Sequence, residues 1–307
     1  MNATDLFYAV KPLVPRWAQI ALRRRVAARK RRRYAATWPI DEEAKTPPPD
    51  WRGWPEGKRF ALVLTHDVET GLGVERCRPL LDLEEEMGFR SAFNFVPERY
   101  SVPPELRQEV ANRGFEVGVH GLKHDGRLYR SKALFLERAE QINRYLEEWG
   151  AVGFRSPSMQ HNLEWLHALN IRYDESTFDV DPFEPQADGV GTIFPFVVPA
   201  RTPGTRPYVE LPYTLPQDFT LFVILGEKNP DIWMRKLDWI AENGGMALVN
   251  VHPDYMRQVG EPARLDDYPA LYYREFLAYA KRRYADAYWH ALPVKVAEWV
   301  ARKAGDA

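Results

Sequence analysis

The sequence predicts an α/β protein built on a mainly parallel sheet, and two observations predict it. From Arg59 onward, short apolar runs of strand length alternate with amphipathic runs of helical period, and each polar cluster of interest falls where one of the strand-like runs ends. Repeated strand–helix units imply parallel strands joined by crossover helices, in a sheet either open and doubly wound or closed as a barrel. The 307 residues, 45% of them hydrophobic, suffice for a core of ordinary size in one large domain or two small ones.

The elements follow in order. Phe60 to Thr65 reads as the first strand and Val74 to Met87 as the helix after it. Phe89 to Val96 and Pro104 to Asn112 form the next such pair, then Phe115 to Val119 with Ala133 to Trp149. The strand Val152 to Arg155, a short helix over Leu163 to Leu169 and the strand Ile171 to Asp174 continue the alternation. From Phe178 to Pro216 many prolines and no clear helix mark an insertion or a long loop. The helix Ile232 to Glu242 and the fully apolar strand Met246 to Val251 resume the rhythm, and helices over Leu271 to Tyr284 and Val294 to Lys303 close it. The apolar run Leu221 to Leu225 is strand-sized, and no run approaches the length of a spanning helix.

Ahead of this domain (59–305) lie a Pro-rich connector (39–58) and a basic extension (1–38), expected to be an amphipathic helix. The formal net charge of -1 is the sum of two unlike parts: ten basic residues and one acid within Met1 to Tyr34 give +9, and the remainder gives -10. The extension places Leu6, Phe7, Tyr8, Val10, Leu13 and Trp17 before the arginine run, and Lys11, Pro12, Pro15 and Arg16 break its apolar part, the reverse of a secretory leader. It reads as an interfacial anchor, a nucleic-acid arm or a helix packed on its own domain. The aromatic content favours an anionic membrane surface as the partner of residues 1–34, and no nucleic acid is expected. The single cysteine, Cys77, points to a reducing compartment.

Four strand ends carry ionisable groups. After Leu64, alternation puts Asp67 and Glu69 on one side and His66 and Val68 on the other. Standing alone, the pair would read equally as a solvated acidic loop. His120 and His124 follow Val119 at a spacing that lets two imidazoles converge on one metal, and Arg155 ends a strand just before Pro157. An arginine there holds a carboxylate or forms a surface ion pair. His252 ends the apolar strand, either as a structural histidine or as an acid. Together, two carboxylates and two histidines supply a His/His/carboxylate metal site with positions left for water.

In this order the motifs resemble those of the polysaccharide deacetylase family, the NodB homology domain. Thr65-His-Asp-Val-Glu69 resembles the first motif, Ser91 to Val96 the second-strand signature, and His120-Gly-Leu-Lys-His124 the metal-binding pair. Arg155-Ser-Pro157 resembles the arginine–proline motif, Asp174-Glu-Ser176 the acidic motif, and Leu248 to His252 the terminal leucine–histidine motif. The resemblance implies a distorted (β/α)7-8 barrel that removes an N-acetyl group from an amino sugar with a divalent metal, zinc. It further implies Asp67 as general base, Arg155 as the residue that orients it, and His252 as general acid supported by Asp174. His120, His124 and Glu69 would be metal ligands, and the backbone at Ser158 an oxyanion contact. The sequence departs from the family where Val68 replaces a second aspartate, Ser158 an aromatic residue and Phe178 a tryptophan, so Glu69 takes the third ligand place and the substrate contacts differ.

The expected substrate is an N-acetylated sugar, nucleotide-linked, lipid-linked or polymeric, in surface glycan synthesis. The expected location is the cytoplasm, peripheral on the inner face of the membrane. A hydrolase of another amide, such as a ureide or a formamide, and a non-catalytic glycan-binding barrel are the alternatives.

Overall fold

The computed structural model describes residues 14–49 and 51–305. Its main sheet contains β1 (Phe60–Val68), β2 (Ala92–Phe95), β3 (Glu116–His120), β4 (Gly153–Arg155), β5 (Tyr173–Asp174), β6 (Phe196–Val198), β7 (Tyr208–Glu210) and β8 (Met246–Val251). A two-stranded ladder of β9 (Met256–Arg257) and β10 (Tyr268–Pro269) lies apart, and β11 (Tyr288–His290) returns to the main sheet. The helices are α1 (Arg16–Arg33), α2 (Gly71–Met87), α3 (Pro104–Asn112), α4 (Lys132–Trp149), α5 (Asp231–Asn243), α6 (Leu271–Tyr284) and α7 (Pro293–Gly305).

The strand β1 is central and buried along its whole length. One edge pairs in parallel with β11 through Phe60–Leu62 and then with β2 through Thr65–Val68; the other edge pairs with β8 through Ala61–His66. The parallel order runs on through β2, β3, β4, β5 and β7, and β6 adds antiparallel to β7. Beyond β7 the chain reaches Leu215, which bridges Val249 of β8, while the Thr214 hydroxyl donates to the Met246 carbonyl at 2.7 Å. These contacts bring the curled sheet back to its start, so the fold is a distorted (β/α)7-8 barrel of mainly parallel strands.

Alternation along the strands sorts the core into two layers. Ala61 and Val63 of β1 face the interior with Tyr173, Val209, Met246 and Leu248. Phe60, Leu62 and Leu64 face outward beneath Leu80 and Leu81 of α2, Leu237 and Ile240 of α5, and Phe276 and Leu277 of α6. Each such buried aliphatic side chain contributes about 1.5–3 kcal/mol of transfer free energy. Toward the carboxyl ends of the strands the inward residues turn polar: Thr65 and Asp67 continue Ala61 and Val63, and Asn250 continues Met246 and Leu248.

Some expectations shift. The second strand is confined to Ala92–Phe95, and the irregular stretch after Phe178 contains β6 and β7, each too short to show a period of its own. The strand-sized run at Leu221–Leu225 is part of a π-helical turn, Phe219–Leu225. The Asp218 carboxylate accepts the Phe219 N–H at 2.8 Å, and Gly226 ends the turn in the left-handed region.

The basic helix α1 packs on that turn. Ile20 and Ala27 are buried against Phe219, Val223 and Ile224. Arg24 donates to the Val223 carbonyl at 3.0 Å, Lys30 to the Pro182 carbonyl at 2.6 Å, and Arg31 meets Glu227 at 2.6 Å. Leu6, Phe7, Tyr8, Val10 and Leu13, the apolar residues that favoured an anchor, lie outside the described residues. Within the connector, the Trp54 indole N–H donates to the Gly244 carbonyl at 2.8 Å and the Ala44 carbonyl accepts the Ile193 N–H at 3.0 Å. No helix among the described residues is long and apolar enough to cross a membrane.

Candidate active site

At the carboxyl ends of the strands, where converging loops make the binding face of such barrels, a cavity of about 310 Å³ opens. Asp67, Glu69, His120, His124, Ser158 and His252 all line it. Residues more than 180 positions apart in the chain meet there because β8 lies beside β1.

Asp67 is held from several sides. Its Oδ1 lies 3.2 Å from Arg155 Nη1 and accepts from the Asn94 amide at 3.2 Å, and its Oδ2 accepts from the Asn250 amide at 2.7 Å. Burial alone would raise its pKa, but the Arg155 guanidinium and the two nearby imidazoles outweigh that and hold the carboxyl well below the usual range. Glu175 also faces Arg155, at 3.2 Å, but burial pushes its pKa up to about 8. Burial thus weighs against the charged form of Glu175 and favours Asp67 as the arginine's partner. Gly118 gives Asn94 its room, since a Cβ there would sit 1.9 Å from Asn94 Oδ1.

His120 ends β3, and Gly121, at φ +62°, turns the chain so that the loop can lie on Pro157. The Nδ1 of His120 is 3.1 Å from the Arg155 carbonyl, a contact that places the proton on Nδ1 and leaves the Nε2 lone pair free. That Nε2 is buried without a hydrogen-bond partner. His124 sits at φ 51°, and its Nε2 is 2.9 Å from Glu69 Oε1 without the alignment of a hydrogen bond. Tyr255 donates to Glu69 Oε2 at 2.7 Å. Burial opposes ionisation of Glu69, but His124, His252 and the Tyr255 hydroxyl hold its pKa well below the ordinary value.

Ligand atoms of Glu69, His120 and His124 all lie within 4.8 Å of one another. Two imidazole nitrogens without hydrogen-bond partners and an ionised carboxylate at that separation fit a divalent cation such as zinc. Val68 packs in the outer layer of the core and faces away from the cavity, so of the two neighbours it is Glu69 that lines it.

His252 follows β8. Its Nε2 is 3.9 Å from Asp67 Oδ2, and its Nδ1 is 2.6 Å from Asp218 Oδ1. Asp218 Oδ2 accepts the His252 backbone N–H at 2.8 Å and the Tyr268 hydroxyl at 3.0 Å. Burial would lower the imidazole pKa, but the Asp218 carboxylate overrides it and raises the value to about 10. Asp67 and His252 thus stand side by side, the surroundings of each favouring its charged form.

The carboxylate on His252 is therefore Asp218, where the family resemblance implied Asp174. Asp174 accepts the Ser176 hydroxyl at 2.7 Å and its N–H at 2.9 Å, and the Ser176 oxygen accepts the Ser156 N–H at 2.8 Å. Through Ser176 it steadies the turn that carries Ser158. Ser158 lines the cavity at φ 56°, a conformation uncommon for a residue with a Cβ. Phe178 is buried against Tyr213 at a ring separation of 5.4 Å. Asn250 could have been found in the sequence, as the one amide in an apolar strand and on the same side as His252 by alternation. Asp218 carried no such signal, because it adjoins an apolar run that resembles a strand.

The sequence matches no family description and no curated protein. Solved structures match in shape. A polysaccharide deacetylase from Mycobacterium smegmatis, described there as putative, superposes with a TM-score of 0.58 at 22% identity, covering 82% of this chain and 93% of its own. A probable polysaccharide deacetylase from Pseudomonas aeruginosa PAO1 gives 0.60 at 21% identity, over 84% of this chain and 95% of its own. Puue allantoinase gives 0.60 at 20% identity, over 86% of this chain and 98% of its own. The chain has the fold of the polysaccharide deacetylases.

Proposed function

We propose that this protein is a metal-dependent hydrolase that removes an N-acetyl group from an amino sugar in surface glycan synthesis. The observation that carries the reading is the pairing, in one cavity, of an ionised Asp67 and a protonated His252 beside a Glu69/His120/His124 donor set. Those three residues would hold a divalent cation, zinc, which when bound supplies a Lewis acid and lowers the pKa of water.

Asp67 takes the proton of the attacking water, and Arg155, Asn94 and Asn250 fix its two oxygens for that task. His252 delivers the proton from Nε2 to the departing amine, while Asp218 stabilises the imidazolium and keeps the other ring nitrogen protonated. Ser158 lines the same cavity, and its backbone would meet the carbonyl oxygen as charge develops on it. A base and an acid of this kind each contribute about 10²- to 10⁴-fold to rate.

Acetate release from nucleotide-linked, lipid-linked and polymeric N-acetyl sugars, with and without chelator, tests the reading; no release from any of them would overturn it. A second amide class has support from the matching fold of Puue allantoinase and from the cavity-lining Ser158 at the station where the deacetylase family has an aromatic. Formate or a ring-opened ureide as product would select it. A cytoplasmic, peripheral site of action rests on the arginines of α1 that remain exposed, such as Arg25, Arg29 and Arg32. Cosedimentation of the full chain with phosphatidylserine vesicles tests it, and binding that ignores salt would count against it.

A further inference from the structure

Part of the cavity wall comes from α1. Arg16 and Arg23 lie two helical turns apart and so share a face with Gln19, Ile20 and Ala27. Ile20 and Ala27 anchor that face in the apolar surface of the π-helical turn, while Arg16, Gln19 and Arg23 reach the cavity itself. Both guanidinium groups stack on Phe219, at 5.5 Å for Arg16 and 4.9 Å for Arg23.

The cations of this helix divide by use. Arg24, Lys30 and Arg31 fasten α1 to the barrel, and Arg16 meets Asp266 at 3.1 Å. Arg23 forms no ion pair or hydrogen bond with a described residue; the residue as a whole is exposed, and its guanidinium rests on the Phe219 ring where it lines the cavity. Glu184 on the same cavity wall acts on Arg23 through its field, without a hydrogen bond or ion pair to it. That side chain is buried, accepts from the Tyr213 hydroxyl at 3.0 Å and from the Gln217 amide at 2.7 Å, and burial beside Asp181 raises its pKa to about 8. A planar, always-charged donor fork held by an aromatic ring is a device for binding an oxyanion.

We infer that the substrate carries an oxyanionic substituent, phosphate or carboxylate, beside its scissile amide, and that Arg23 binds it with Arg16 at the second position. The inference rests on the hydrolase reading for the amide, and it narrows the substrate to the charged members of that class. Neutral glycan chains lack the group that Arg23 awaits.

The test is equilibrium binding to the full-length, metal-loaded protein. The probes are inorganic pyrophosphate, N-acetylglucosamine, N-acetylglucosamine 1-phosphate and N-acetylmuramic acid, each against wild type, Arg23→Gln and Arg25→Gln. Arg25 is on the same helix, exposed and outside the cavity, so its replacement removes an equal charge without touching the mouth. Arg23→Gln is expected to weaken pyrophosphate by about tenfold, equivalent to about 1.4 kcal/mol, and Arg25→Gln by less than about twofold because a distant exposed charge is screened. Neutral N-acetylglucosamine should bind all three proteins alike, and the charged sugar whose affinity follows Arg23 identifies phosphate or carboxylate as the anion. Equal pyrophosphate affinities in wild type and Arg23→Gln, or equal losses in the two variants, would overturn the inference. Pyrophosphate has no amide, so its binding is independent of acetate release: an Arg23-dependent affinity without turnover would sink only the hydrolase reading, and turnover with no Arg23 dependence would sink only this one.

Discussion

Replacing Asp218 by Asn leaves the size of the side chain unchanged and removes the charge that sets the protonation of His252. The wild-type ring is bound at Nδ1 by Asp218 Oδ1 at 2.6 Å, and its pKa is raised to about 10 against a burial that acts to lower it. A group raised in this way stabilises the fold fully below its unfolded value, about 6.5, and loses that contribution as pH rises through about 10. Without the carboxylate, burial dominates and the imidazole becomes neutral near pH 7 and above. The acid for amine departure is then missing at pH 8, so kcat should fall by about 10²-fold or more there and by much less near pH 5. Conformational stability at pH 7 should drop by roughly 3 kcal/mol, the lower end for breaking a buried pair by removing one partner. The pH dependence of kcat/KM for acetate release, with the His252 ring titration followed by NMR, reads both effects. An alkaline limb that stays near pH 10 in Asp218→Asn would refute the assignment of Asp218 as the support of His252.

Asp67→Asn should lower turnover by at least about 10²-fold while elemental analysis finds metal at the wild-type ratio; near-normal acetate release would remove Asp67 as the base. Glu69→Gln should lower metal affinity by about tenfold or more and leave the barrel's far-UV circular dichroism intact, as read by chelator competition. Gly121→Ala forces a Cβ to within 2.5 Å of the Pro157 ring at a φ of +62°, so it should cost about 1–3 kcal/mol in denaturant midpoint. It should also loosen the metal by displacing His120 and His124. An unchanged midpoint would mean that the turn yields freely.

The strand–helix rhythm was readable because each crossover repeats one pattern, and the ionisable residues that line the cavity because strand ends concentrate them. Alternation alone placed Asp67 and Glu69 together and turned His66 outward, where its Nε2 meets Glu84 at 2.8 Å. The rest depends on which distant segments meet. Asp218 reaches His252 only because the π-helical turn folds beside β8, and local spacing holds no record of that contact. Asp174 belongs to the right motif by position, yet Ser176 takes its oxygens. The arginine run resembles a membrane arm for the same reason: Arg23 acquires its setting from Phe219, far along the chain.

The strand β1 has β2 and β11 on one edge and β8 on the other, so its neighbours come from both ends of the barrel sequence. During synthesis this buried strand, apolar through Leu64, emerges early, but one of its edges stays without a partner until residue 251 has left the ribosome. Pairing across such separations pays its loop-closure entropy before any contact repays it, which makes folding slow. A chain stalled before β8 presents an open, hydrophobic parallel edge, the kind of surface that recruits chaperones or aggregates. Asn250 and His252 arrive with β8, so the cavity around Asp67 is completed by the same strand that covers this edge.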